Sequence, residues 1–209
     1  MAAFDGTGMN TSNTAVLFIE FQNEFCSEGG KLNGAVKECQ ETKATVTNAV
    51  ALAAACRAKG IPVWHAPITF SDDFRELSST PYGILAGVKG GECFKASAWG
   101  GQMITEMLPA DGEVVVSGKR GLCAFASTNL DFMLRQRGII HLALCGYLTN
   151  CCVESTMRTA YEKGYTVFTL TDCCAATSVE AHDMAVKHTF PMFSNPMTSV
   201  DFVSAVGQK

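Results

Sequence analysis

Apolar residues in this chain alternate between two rhythms. Short unbroken runs at 15–21, 61–66, 113–117, 139–145 and 165–170 have the length and continuity of strands buried on both faces. Between them lie longer segments with helical spacing. These are 36–59 closed by Gly60, 126–137 stopped by Gly138, 153–163 with Gly164 just past its end, and about 179–188, where Thr177-x-x-Glu180 offers a capping box. A short helix at 103–108, a sixth short strand around Met192 and a helix at 199–206 complete the series. The stretch 68–101, rich in Gly, Ser and aromatics, carries neither rhythm and reads as irregular. Strands alternating with amphipathic helices predict an α/β fold, a parallel sheet with helices on both faces. No repeat or linker divides it, so 14–209 reads as one domain and 1–13 as a flexible N-terminal segment.

Composition narrows the setting. A chain of 209 residues, 47% hydrophobic, is long enough for one sizeable core. The formal charge of −4 is spread without a basic block, so neither nucleic acid nor an anionic membrane is expected as a partner. No Lys or Arg precedes Lys31 and no apolar run approaches a membrane span, which predicts neither secretory signal nor anchor, and a cytoplasmic protein. In that compartment the ten cysteines are expected to be reduced. The vicinal pairs Cys151-Cys152 and Cys173-Cys174 lack the Cys-x-x-Cys spacing of structural zinc sites.

Ligands of parallel sheets bind at the carboxyl ends of the strands, and three reactive side chains fall there. Glu20 ends the first apolar run, Lys119 follows the third, and Cys152 follows the fourth. Cys152 falls in the first turn of the next helix. With Thr149 or Asn150 as N-cap, free amides and the helix dipole would favour its thiolate. A carboxylate, an ammonium and a thiol can serve as base, electrostatic stabiliser and nucleophile. Each also has a plainer reading: a strand cap in solvent, a surface-turn lysine, a cysteine filling the core.

The segments around these residues resemble one family. Phe18-Ile19-Glu20-Phe21-Gln22-Asn23-Glu24-Phe25 is similar to the opening motif of the isochorismatase-like cysteine hydrolases. Gly118-Lys119-Arg120, with Ala124-Phe125 and Thr128-x-Leu130, resembles their lysine segment. Cys145-Gly146-Tyr147-Leu148-Thr149-Asn150-Cys151-Cys152-Val153-Glu154-Ser155-Thr156-x-Arg158 resembles their nucleophile motif, with Cys151 at a variable position. The match runs from about Ala15 to the C-terminus, in the family's order.

The resemblance implies a three-layer α/β/α sandwich, Rossmann-like, around a mostly parallel six-stranded sheet. It also implies a Glu20, Lys119, Cys152 triad and hydrolysis of a C–N bond in a small amide, carbamoyl or ureido compound through a thioester on Cys152, without a cofactor. The oxyanion hole would be the backbone amides of Leu148 and Cys152, beside a cis Tyr147–Leu148 peptide. The namesake enzymes instead cleave a vinyl ether and need no thiol. Association into homo-oligomers, dimers or tetramers, is common in the family, with 68–101 as contact surface.

Two departures matter. The family's first catalytic residue is aspartate, and this chain has Glu20, with Glu24 likewise at a motif aspartate. An extra methylene moves a carboxylate by on the order of 1.5 Å, and misplacement by ~1 Å can cost ~100-fold in rate. A catalytically weakened interaction protein is therefore an alternative. Nicotinamidases of the family also carry a metal site after the second strand. Here that stretch offers His65 alone, so no metal is expected. For substrate contacts, Phe25, Trp99, Phe125 and Tyr147 are candidate pocket walls, with ordinary core the competing reading for Phe25 and Phe125. Arg75, Lys89 and Lys95 either meet a substrate carboxylate or are simply solvated.

Overall fold

The computed structural model describes residues 8–207. Six strands form its central sheet: β1 (Thr14–Ile19), β2 (Val63–Ala66), β3 (Val114–Val115), β4 (His141–Tyr147), β5 (Thr166–Ala175) and β6 (Asn195–Met197). They lie in the order β3-β2-β1-β4-β5-β6, and each neighbouring pair is parallel. Every residue of β1 and β4 is buried, which explains why these two central strands read as unbroken apolar runs.

The helices are α1 (Asn23–Cys26), α2 (Asn33–Thr42), α3 (Thr45–Lys59), α4 (Ile84–Gly90), α5 (Leu130–Gln136), α6 (Glu154–Glu162), α7 (Val179–Met184), α8 (Phe190–Phe193) and α9 (Ser199–Ala205). Helix α3 packs on β2, β4 and β5 and against α9, while α6 packs on β5 and against α8. The three-layer α/β/α arrangement expected from the sequence is therefore present, with a sheet that is parallel throughout. Strand order reverses between β1 and β4, the position at which such sheets open a crevice at their carboxyl ends.

Several elements differ from the sequence reading. The helix expected at 36–59 is two helices, broken at Ala44, whose φ is 51°. Side chains at the start of α3 explain the break. Thr45 Oγ1 donates to the Cys174 carbonyl and Asn48 Nδ2 to those of Lys43 and Asp172, which pins α3 to the end of β5 and leaves α2 free to turn. The stretch 68–101 contains α4, and 103–108 is reduced to a single 3-10 turn at Thr105–Met107. Helix α5 begins at Leu130, later than the expected 126.

β5 continues past Leu170 through Thr171 and Asp172, because the Asp172 carboxylate accepts the Ser199 amide (2.8 Å) and hydroxyl (2.7 Å) at the start of α9. The cap of α7 is Ser178, whose hydroxyl accepts the Ala181 amide, in place of Thr177. Met192 belongs to α8, and the sixth strand lies a few residues later at the sheet edge, where Pro196 needs no ladder donor.

Of the segment expected to be flexible, residues 1–7 lie outside the described residues. Met9 is buried and its carbonyl accepts the Gly207 amide, while Thr11 N donates to Gly207 O. Among the described residues no helix is long and apolar enough to cross a membrane, and all ten cysteines are free.

Candidate active site

The site begins with a close approach of backbones. Ile19 and Gly146 are register partners at the carboxyl ends of β1 and β4. A Cβ on Gly146 would lie 2.0 Å from the Ile19 carbonyl oxygen, and Gly146 has φ 125°, so only glycine lets the two strand ends meet this way. Immediately beyond, Glu20 adopts φ 59°, a left-handed conformation that is uncommon for a residue with a side chain and costs roughly 1 kcal/mol or more. Its amide still reaches the Ala66 carbonyl (3.2 Å). The turn takes Glu20 out of the strand's alternation and toward the crevice.

β4 leaves the sheet through the cis Tyr147–Leu148 peptide, and a π-type turn, Thr149–Val153, leads into α6. Cys152 therefore sits in a wide turn before the α-helix, one step earlier than expected. Neither Thr149 nor Asn150 caps it with a side chain. The Thr149 hydroxyl instead lies 2.9 Å from His182 Nδ1, a buried contact that ties this turn to α7.

Lys119, in the loop after β3, is fully buried. Its Nζ pairs with the Glu20 carboxylate and donates to the Gly121 carbonyl at 2.9 Å. Burial works against its charge, but the Glu20 carboxylate outweighs burial and holds its pKa above the ordinary lysine value. Cys152 is 3% exposed. The contact with the Cys151 sulfur, then burial and the Glu20 carboxylate, push its thiol well above the ordinary range, against the pull of Lys119. These surroundings oppose ionisation of Cys152, where the helix-start argument from sequence favoured a thiolate. That argument omitted the low-dielectric surroundings and the nearby carboxylate.

Glu20 and Cys152 face a cavity of about 280 Å³, with Leu148 and Thr177 beside them. Phe25 is on its wall. The other three expected aromatics are not among its lining residues, and packing explains each. Tyr147 stacks behind Phe25 (ring centroids 5.2 Å apart) with its hydroxyl on Gln40. Phe125 packs on Tyr165. Trp99 is 55% exposed on a 3-10 turn held by Asn23, whose amide donates to its carbonyl.

Two motif residues have clear structural work that the sequence reading left unassigned. Gln22 donates to the carbonyls of Ile68 and Gly101 and accepts the Ile68 amide. The buried Glu24 carboxylate accepts the amides of Lys31 (2.8 Å) and Phe94 (3.1 Å) and leaves no room for a Cβ on Gly100. Together they fasten the 92–102 segment to α1 and so shape the cavity wall. Their polarity within an otherwise apolar stretch was the available signal.

His65 is buried in β2, with Nε2 2.9 Å from Glu113 Oε2, and burial lowers its pKa. Among the described residues no group of three or more His, Cys, Asp or Glu side chains is placed to hold a metal ion.

Comparison with known proteins identifies the family to which this fold belongs. Residues 14–201 match the isochorismatase domain. The chain is 29% identical over 198 residues to the isochorismatase family protein YecD of Escherichia coli O157:H7, covering 95% of this chain and 98% of that protein. It is also 29% identical to the ureidoacrylate amidohydrolase RutB of Pantoea ananatis, over 98% of this chain and 86% of that protein. The structure of a cysteine hydrolase from Pseudomonas syringae pv. phaseolicola 1448A superposes with a TM-score of 0.81 at 22% identity, covering 94% of this chain and 93% of that one. The chain thus belongs to the isochorismatase family of hydrolases.

Proposed function

We propose that the protein is a cofactor-independent cysteine amidohydrolase that cleaves a C–N bond of a small amide, carbamoyl or ureido compound, using Glu20, Lys119 and Cys152. The supporting observation is that Glu20 and Cys152 face one cavity while the buried Lys119 holds the Glu20 carboxylate in place. The Cys152 proton leaves as the sulfur attacks, and Glu20, which lines the same cavity, is the base that accepts it. The new S–C bond makes a tetrahedral intermediate whose oxygen is received by the backbone amides of Leu148 and Cys152. Lys119 stabilises the negative charge of the site. Glu20 returns the proton to the departing nitrogen, the C–N bond breaks, and a thioester remains. Water, deprotonated by the same carboxylate, then releases the acid and restores the thiol.

The amidohydrolase name of the RutB relative points to the same reaction class. The test is Cys152→Ala combined with acid-quenched intact-mass spectrometry of the wild type on a panel of small amides. An acyl adduct on Cys152, and a loss of at least ~1,000-fold in kcat in the variant, are expected. Turnover of a vinyl ether that survives Cys152→Ala, with no amide turned over by the wild type, would instead favour the vinyl ether chemistry, which relies on proton transfer from the carboxylate.

A further inference from the structure

We infer that the substrate is an uncharged carboxamide whose acyl group is a hydrocarbon chain or small ring, and that the site excludes substrates ending in a carboxylate. This assignment rests on the amidohydrolase reading above and narrows it. Apart from Glu20, Cys152 and Thr177, each side chain on the cavity wall is hydrocarbon or absent. Helix α2 contributes Val36, with Leu32 just before it, and α4 contributes Leu85 and Val88. Ile68 and Leu122 line it as well.

No lysine, arginine or histidine lines the cavity among the described residues, and the nearby cations are committed elsewhere. Lys31 Nζ donates to the Gly91 and Glu92 carbonyls (3.0 and 2.8 Å), Lys89 to Ser78 O (3.2 Å) and Lys95 to Glu92 (2.6 Å). Arg75 pairs with Asp73 (2.9 Å), and Arg120 reaches Thr69 and Glu76. Lys119 is taken by Glu20.

A distal carboxylate would therefore leave water without a partner and meet the Glu20 charge as well, a cost that excludes it. A hydrocarbon acyl group gains from the same walls. The cavity, near the low end of the roughly 300–1,000 Å³ common for ligand sites, has room for a substrate of on the order of ten non-hydrogen atoms. This conclusion separates the chain from its ureidoacrylate-hydrolysing relative, whose named substrate carries an acid group.

The experiment compares pentanamide with glutaramate, which replaces its terminal methyl by a carboxylate, and adds acetamide and propanamide to grade chain length. Pentanamide is expected to exceed glutaramate by at least ~100-fold in kcat/KM. Each added methylene is expected to raise kcat/KM by about fourfold. Leu85→Lys, with Leu32→Lys as a second variant should the first fold poorly, is expected to reverse the preference toward glutaramate. Calorimetric titration of both amides into Cys152→Ala measures the same preference without chemistry.

Tighter binding or faster turnover of glutaramate by the unsubstituted cavity overturns the assignment and leaves the hydrolase reading intact. Absence of turnover together with selective binding of pentanamide overturns the carboxamide substrate assignment and leaves the hydrolase reading to the Cys152→Ala test above. Absence of both binding and turnover overturns the assignment.

Discussion

The protein holds two clusters of acid and base that look alike in composition and differ in placement. At the carboxyl ends of the strands, Glu20 and Lys119 form a buried pair beside Cys152 and a cavity. At the amino end of β3, Glu113 accepts Arg57 Nε (2.7 Å) and Nη2 (3.0 Å), His65 Nε2 (2.9 Å) and the Ala110 amide (2.9 Å). That second carboxylate is surrounded by donors, and it is not among the residues that line the cavity. It ties α3, β2 and the turn before β3 together. The first carboxylate faces open space and a thiol. Charged groups become chemistry where the fold leaves them a vacancy and a reacting atom, and become mortar where every lone pair is already used.

Substitutions separate the two roles, and the largest effect is expected at Lys119. Lys119→Met should cost at least ~1,000-fold in kcat/KM and, by stranding a buried carboxylate, roughly 3–5 kcal/mol of stability by chemical denaturation. Adding Glu20→Gln should regain stability without regaining turnover. Recovery of both would place the pair with the structural cluster. Glu20→Asp comes next, with an expected fall of about 100-fold in kcat, because the carboxylate that now meets Lys119 would be drawn back by one methylene. A rise in kcat would show instead that the longer side chain weakens the site.

Glu113→Gln should leave kcat/KM within about twofold while lowering stability by about 1–3 kcal/mol. Burial alone would raise the Glu113 pKa, but Arg57, His65 and the Ala110 amide bring it to about 2, from 4.5 for the free side chain. Its contribution is therefore complete above pH 4.5 and is lost as pH falls toward 2, where the folded carboxylate also takes up a proton. The wild type and Glu113→Gln should converge in stability over that window, as followed by urea melts, and parallel curves would contradict the assignment.

The alternation of buried runs and helical segments was legible because β1 and β4 are covered on both faces, so their burial needs no partner information to be seen. The placement of Glu20, Lys119 and Cys152 was legible for a related reason: residues that follow a strand in a parallel sheet must lie at its carboxyl edge. What misled was local chemistry judged without neighbours. Thr149 or Asn150 was expected to cap a helix, and Thr149 instead bonds His182, which lies 33 residues further on in the chain. Cys152 was expected to ionise readily, and its burial beside Glu20 opposes that. Tyr147 and Phe125 have the character of pocket walls, yet each packs against another ring. The break at Ala44 depends on Thr45 and Asn48 finding carbonyls of β5, a contact across more than a hundred residues.

The sequence by itself determined the class of fold, the alternation of its main strands and helices and the three side chains that stand at strand ends, since periodicity and chain order carry that information locally. The close approach at Gly146, the left-handed turn at Glu20, the surroundings that oppose ionisation of Cys152 and the apolar character of the cavity were decided by tertiary structure alone. Each depends on which distant groups exclude water and supply partners. Dielectric surroundings and unpaired volume are properties of the packed molecule, and no segment of the chain possesses them before it is folded.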